Sequence, residues 1–145
     1  MTRFTTPTPL WFRIVALVLV IWGAVGVFAC VQQVRLGADA MGPADAYYRR
    51  LYAGFPIWYN AVYALATGTG LLAALALLFG SALARPLFAV SLVAVLVQFG
   101  WLFAATDIVA VRGAAQVVPF PVFIAAVAAF GVWLAGHGRR RGWIA

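Results

Sequence analysis

Four uncharged apolar stretches constrain this chain more than any other feature: residues 14–34, 57–79, 87–106 and 117–135, none of which contains Asp, Arg or His. A hydrocarbon core about 30 Å thick needs roughly 20 residues of helix to cross it, and each stretch meets that length. The stretches show no polar face at the helical period, which argues against buried helices of a soluble bundle. They are continuous rather than alternating, which argues against a β-barrel. The expected fold is all-α: an integral membrane four-helix bundle, one membrane domain over residues 1–145, with a short interfacial helix in the first outer loop.

Composition narrows the function classes. The chain is 66% hydrophobic and 9% charged, with ten basic residues, all Arg, and three acidic ones, all Asp. A soluble domain carries about a quarter charged residues. The single Cys30 has no partner for a disulfide, and with one His a metal cluster is not expected. No cofactor is expected either. All seven prolines (Pro7, Pro9, Pro43, Pro56, Pro86, Pro119, Pro121) fall at or near the proposed span ends, where a missing N–H is tolerated.

The first span also invites a reading as a signal peptide, with Arg3 and Arg13 as its charged flank. Val27-Phe28-Ala29-Cys30 has the outline of a lipoprotein cleavage box, but Phe28 fits poorly where a small residue belongs, and three more spans follow. An uncleaved helix with a buried Cys30 is the expectation.

Four spans put both termini on one side. That side carries Arg3, Arg13, Arg85, Arg139, Arg140 and Arg141 and no acid; the other carries Arg35, Arg49, Arg50 and Arg112 with Asp39, Asp45 and Asp107, giving +6 against +1. Arginine favours the cytoplasmic side. Both termini are therefore expected in the cytoplasm, with Arg13, Arg85, Arg139, Arg140 and Arg141 as topology anchors at anionic headgroups. The lipid bilayer is the expected partner, joined by a second copy or a membrane-protein partner. Three adjacent arginines are too small a footprint for nucleic acid. All five Tyr (Tyr47, Tyr48, Tyr52, Tyr59, Tyr63) lie at the other end with Trp58, while Trp11 and Trp143 mark the arginine end; amphipathic rings prefer headgroup depth.

Residues 35–56 are too many for a simple turn. Gly42-Pro43 offers a helix start, Gly54 and Pro56 a stop, and Asp45 and Arg49 stand at i,i+4 as a favourable surface pair. Ala44, Tyr48, Leu51, Tyr52 and Phe55 share one face, a stripe that suits a membrane surface or the top of a bundle. It is read as a structural lid or as the cover of an outward-facing pocket.

Polar residues at bilayer depth must face partners or cavities. Gln98 lies about 16 Å along the third span from Leu87, near the midplane, and Thr67 reaches a similar depth from the other side. Gln98 is expected to hydrogen-bond across the bundle, to Thr67 or a backbone carbonyl, or else to touch a ligand. Ser91, Ala94, Gln98, Trp101 and Ala105 form one stripe, while Ala66, Gly70 and Ala74, with Gly23 and Gly26, offer surfaces for close helix approach. Near the outer surface Gln32, Gln33, Asn60, Tyr63, Trp101 and Asp107 form a set that suits either a small polyhydroxylated molecule or an ordinary interface. Asn60, Thr67, Gln98, Trp101 and Asp107 are the candidate site residues.

The spans hold no carboxylate, His or Lys for a proton relay and no central Pro to break a helix at a transport site. No CxxC, HExxH, GxSxG or P-loop pattern occurs. His137 is remote from Cys30 and from the aspartates, so an enzyme is not expected.

Several short runs carry a resemblance: Trp22-Gly23 with Gly26, Tyr52-x-x-x-Pro56-x-Trp58, Gly70-Leu71-Leu72, Ala84-Arg85-Pro86-Leu87-Phe88-x-x-Ser91-Leu92, and Arg139-Arg140-Arg141-Gly142-Trp143. Together they resemble a group of small, mostly uncharacterised four-span inner-membrane proteins of proteobacteria, some bearing an automatic "sugar transporter" label. The resemblance implies the four-helix fold and placement in the bacterial inner membrane; it brings no functional residues with it. Two functions follow: a non-catalytic accessory or structural membrane protein, or a small passive transporter or channel working as an oligomer on a sugar-like solute, with Gln98, Asn60 and Trp101 lining its pore. They differ in whether Gln98 and Asn60 face a wet cavity or packed side chains.

Overall fold

The computed structural model describes residues 7–145. Arg3, counted above, lies outside the described residues. Among the described residues there are seven α-helices and no strand: α1 (Leu10–Leu36), α2 (Ala46–Ala53), α3 (Tyr59–Leu78), α4 (Ala84–Ala105), α5 (Ile108–Arg112), α6 (Ala114–Val117) and α7 (Pro119–Arg140), with a 3-10 turn at Gly37–Met41. α1, α3, α4 and α7 are long and apolar enough to cross a membrane. The shortest, α3, has 20 residues, which at 1.5 Å per residue reaches about 30 Å. The chain is an all-α, four-helix, multi-pass membrane bundle.

The helix ends differ from the apolar stretches in instructive ways. α4 opens at Ala84 rather than Leu87, so Pro86 occupies its third position. A first-turn N–H has no acceptor within the helix, and the ring costs little there. Ser81 serves this end twice: its Oγ accepts from the Leu83 N–H at 3.2 Å and its carbonyl accepts from the Ala84 N–H at 3.2 Å. α7 runs five residues past Ala135, to Arg140, so Arg139 and Arg140 belong to a helix and not to a loose tail. The lid helix starts at Ala46, with Asp45 as its N-cap, instead of directly behind Pro43. α5 and α6 have no counterpart in the sequence reading; they are separated by Gly113 at φ 88°.

α3 and α7 end alike. At Gly80 (φ 78°) the N–H donates to the Leu77 carbonyl at 3.2 Å, and the next N–H, Ser81, reaches back to Ala76 at 2.7 Å. At Gly142 (φ 77°) the pattern repeats, to Arg139 at 3.1 Å and from Trp143 to Gly138 at 2.8 Å. Both are Schellman caps, which need the left-handed conformation glycine adopts freely. The two caps then meet: the Ala145 N–H donates to the Gly80 carbonyl and the Ala82 N–H to the Ala145 carbonyl, each at 3.0 Å. This hook folds the last residues over the bundle end and buries Ile144.

α3 packs against α1 on one side and α4 on the other, and α4 packs against α7. α1 and α7 meet through side chains, with Trp22 edge-on to Phe123 at 5.5 Å and Phe120 at 6.4 Å. Every seam of this ring has a glycine at a tight point. A Cβ built on Gly23 would stand 2.8 Å from the Leu71 Cα, between α1 and α3. One on Gly70 would stand 3.2 Å from the Ser91 Oγ, between α3 and α4. At Gly131 it would meet the Phe88 ring at 2.5 Å, and at Gly138 the Phe12 ring at 2.9 Å. Between helices in lipid there is no hydrophobic driving force, so close backbone approach and dense packing carry the association. The core clusters around these seams: Phe12, Ala16, Leu77, Phe88 and Leu134 towards the arginine end, Ala66, Ala94 and Val95 towards the other. Large apolar side chains cover the outside, among them Leu10, Phe28, Val93 and Phe120, as a lipid-facing surface requires.

Gly23→Ala forces two backbones apart, because the obstructing atom is a Cα. It should destabilise the bundle by about 1–3 kcal/mol, the usual range for overpacking. Gly68→Ala, where a Cβ meets nothing within 4 Å, should stay within about 0.5 kcal/mol of wild type. Unfolding in mild detergent, followed by circular dichroism, distinguishes the two.

Candidate functional site

The aspartate-bearing end is built on two polar connections. After α1, Gly37 turns the chain (φ 60°) into the 3-10 segment. There the Asp39 carboxylate accepts from the Ala44 N–H at 2.9 Å and from Arg49 Nη2 at 3.1 Å. Asp45 caps α2 by accepting from the Tyr48 N–H at 3.0 Å, and its other oxygen takes a hydrogen bond from Arg112 of α5. The Arg112 guanidinium lies over the Tyr47 and Tyr48 rings, 4.9 and 4.7 Å from their centroids. The Tyr47 hydroxyl donates to Asp107 at 2.7 Å. Two loops distant in sequence are thus clasped by an ion pair, a phenol–carboxylate bond and a cation stacked on two rings.

The expected Asp45–Arg49 pair does not form. As an N-cap, the Asp45 carboxylate turns back over the first amides of α2 and away from the i+4 side chain. Arg49 instead pairs with Asp39 and donates through Nε to the Ala44 carbonyl at 3.1 Å.

Beneath this clasp lies an aromatic plug. Phe55 packs on Tyr52 (4.7 Å between centroids) and Tyr59 (4.2 Å); Trp101 stands edge-on to Tyr59 (5.5 Å), Trp58 (5.8 Å) and Phe55 (5.8 Å). Part of the expected stripe on α2 therefore rests on the bundle, with Arg49 and Arg50 turned to the exposed side. Gln98 is buried at 4% exposure one turn below Trp101 and lies beside Tyr59.

Gln98 and Thr67 do not pair. Ser91 of α4 stands level with Ala66 and Gly70 of α3, which sets Gln98, two turns further along α4, nearer the Tyr59 end than Thr67, and the two also point in different directions. Tyr59, Ala66 and Gly70 face α4, where Ser91 Oγ donates to the Ala66 carbonyl at 2.7 Å and makes the crossing bond between these helices. Thr67, one residue on, is turned by about 100° towards α1. Its methyl faces Gly26, it lies beside Cys30, and its hydroxyl donates to the Tyr63 carbonyl at 3.0 Å. Thr69 likewise donates to the Leu65 carbonyl of its own helix at 2.5 Å.

The five candidate residues therefore form four separate groups. Gln98 and Trp101 join Tyr59. Asn60, exposed, accepts from Gln33 Nε2 at 2.9 Å between α1 and α3. Thr67 sits with Cys30, and Asp107 with Tyr47. A cavity of about 230 Å³ lies at the opposite end, lined by Thr8, Phe12, Arg13, Leu77, Phe79 and Trp143 among others, and none of the five reaches it. Tyr47 and Arg112 are the residues the sequence reading missed. The available signal was charge: Asp107 and Arg112 stand in the second connection opposite Asp45 and Arg49 in the first.

The anchors gather at the other end. Arg85 and Arg140 both lie against Gly136, while Trp143 closes over Phe12 (5.2 Å), Trp11 (5.5 Å) and His137 (5.3 Å).

The clasp has a defined pH window. The Tyr48 amide, and after it Arg112, hold the Asp45 carboxyl below the usual carboxylate range. A depressed folded value adds stability that is fully present above the unfolded value near 3.8 and is lost as pH falls through the folded one. Desolvation, then the bond to Asp107, push the Tyr47 phenol up to about 12. A raised value adds stability that is full below the unfolded value of 10.0 and is lost as pH rises through about 12. Amide exchange in α2 should accelerate at both extremes. Asp45→Asn should remove the acid limb and Tyr47→Phe the alkaline one; unchanged limbs in those variants would refute the clasp.

No family model, curated protein or solved structure matches the chain, so the functional reading rests on this geometry.

Proposed function

We propose that the chain is a non-catalytic accessory protein of the bacterial inner membrane, both ends in the cytoplasm, that acts by packing against a membrane-protein partner or a second copy of itself. One observation carries the reading: polar groups at bilayer depth are packed or hydrogen-bonded within the protein. Gln98 is buried beside Tyr59, Ser91 donates to the Ala66 carbonyl of the neighbouring helix, and Thr67 and Thr69 donate to carbonyls of their own helix. A conduction path would need such groups aimed into water. Gln98 is instead packed, and Asn60 is bonded to Gln33 at the surface.

The orientation is supported by an asymmetry of compensation. Arg49 and Arg112 at one end are neutralised by Asp39 and Asp45. Arg13, Arg85, Arg139, Arg140 and Arg141 stand at an end with no Asp or Glu side chain, the arrangement that favours the cytoplasmic face. The sequence resemblance to four-span proteobacterial proteins points the same way. Its transport label finds no support in the packing of Gln98.

Purified protein in liposomes should pass no sugar or polyol faster than empty vesicles do. Gln98→Leu should cost about 0.6–2 kcal/mol of stability, the range for an interhelical polar contact, and leave partner capture from native membranes intact. Solute flux that Gln98→Leu abolishes would overturn the accessory role and restore the passive-transporter reading. Tags at the two ends should both be reachable only from the cytoplasm.

A further inference from the structure

We infer that Arg85 and Arg140 form a binding site for the phosphate of an anionic phospholipid at the seam of α4 and α7. The two guanidiniums converge: Arg85 Nε lies 3.5 Å and Arg140 Nη1 3.4 Å from the point where a Cβ on Gly136 would stand. Like charges brought this close repel, and no Asp carboxylate stands beside either: Asp39 pairs with Arg49 and Asp45 with Arg112. All three aspartates lie at the other end of the bundle. Arg85 also sits in the first turn of α4, where the helix dipole already disfavours a cation. An anion between the two guanidiniums relieves both costs, and the planar guanidinium fork matches a phosphate oxygen pair.

The surroundings select a lipid over a free ion. Both arginines are exposed, and Phe130 and Trp133 follow Arg140 towards the membrane interior along the outer face of α7, 41% and 52% exposed. Trp133 stacks on His137 at 5.1 Å at interfacial depth. An acyl chain lies along these rings when its phosphate is at the arginines. Basic pockets between spans at a membrane face hold anionic headgroups in this manner. The site is independent of the accessory role and of any partner.

The test is native mass spectrometry of detergent-purified protein offered phosphatidylglycerol, phosphatidylcholine or inorganic phosphate. Phosphatidylglycerol should be retained in preference to phosphatidylcholine. Arg85→Gln and Arg140→Gln should each lower retention about fivefold, the effect of one basic residue at an anionic surface. Arg139→Gln, next in the chain but outside the convergence, should lower it less. Bromine-labelled phosphatidylglycerol should quench tryptophan emission of the otherwise unaltered protein, and Trp133→Phe should remove that share, which tests the location without touching either arginine. Equal retention of the two lipids, an equal loss in Arg139→Gln, or quenching that survives Trp133→Phe would overturn the site. Displacement of the lipid by equimolar inorganic phosphate would overturn the lipid assignment in favour of a soluble anion.

Discussion

The bundle depends on backbone approaching backbone where side chains are missing. Lipid tails are as apolar as leucine, so burying leucine against leucine yields little, and contact density between helices must supply the cohesion. Gly23 brings α1 onto Leu71, and Gly131 and Gly138 receive the rings of Phe88 and Phe12. Two of these contacts are sockets for aromatic rings, so the bundle combines close crossings with plugged ones. Both plugs belong to the arginine half, where the larger core cluster lies.

The two ends are held by different physics. At the aspartate end the connections are polar and are clasped by charge and hydrogen bonds that remain exposed, where solvent and salt weaken each pair. At the arginine end a backbone hook and buried rings do the holding, and no Asp or Glu side chain stands among the arginines. A chain with ten arginines and three aspartates cannot balance both ends, and it places all its acids at one.

Hydropathy makes spans legible but not direction. The four spans follow from the length of the uncharged runs, and the ridge of Ala66, Gly70 and Ala74 with Gly23 does lie at close seams. Thr67 and Gln98 were expected at one level, but the register of α4 on α3 sets Gln98 nearer the Tyr59 end, and one residue of rotation separates Thr67, turned to α1, from Ala66, turned to α4. An interior helix has two neighbours, and composition does not say which residues address which. Gly131 and Gly138 gave no signal among fourteen glycines, because their role comes from Phe88 and Phe12 on other helices. The Asp45 pairing failed for a related reason: a local i,i+4 rule cannot see that an N-cap carboxylate is already turned towards its own amides, nor that Arg112 waits on a distant loop.

The seat of Phe12 on Gly138 has a consequence for biogenesis. The ring belongs to the first of the four spans in chain order, and its socket to the fourth. Until α7 has been threaded into the bilayer, the opening helix has only α3 to lean on, and its aromatic end faces lipid. Three spans alone make an open row, and the final turn of α7 shuts the ring.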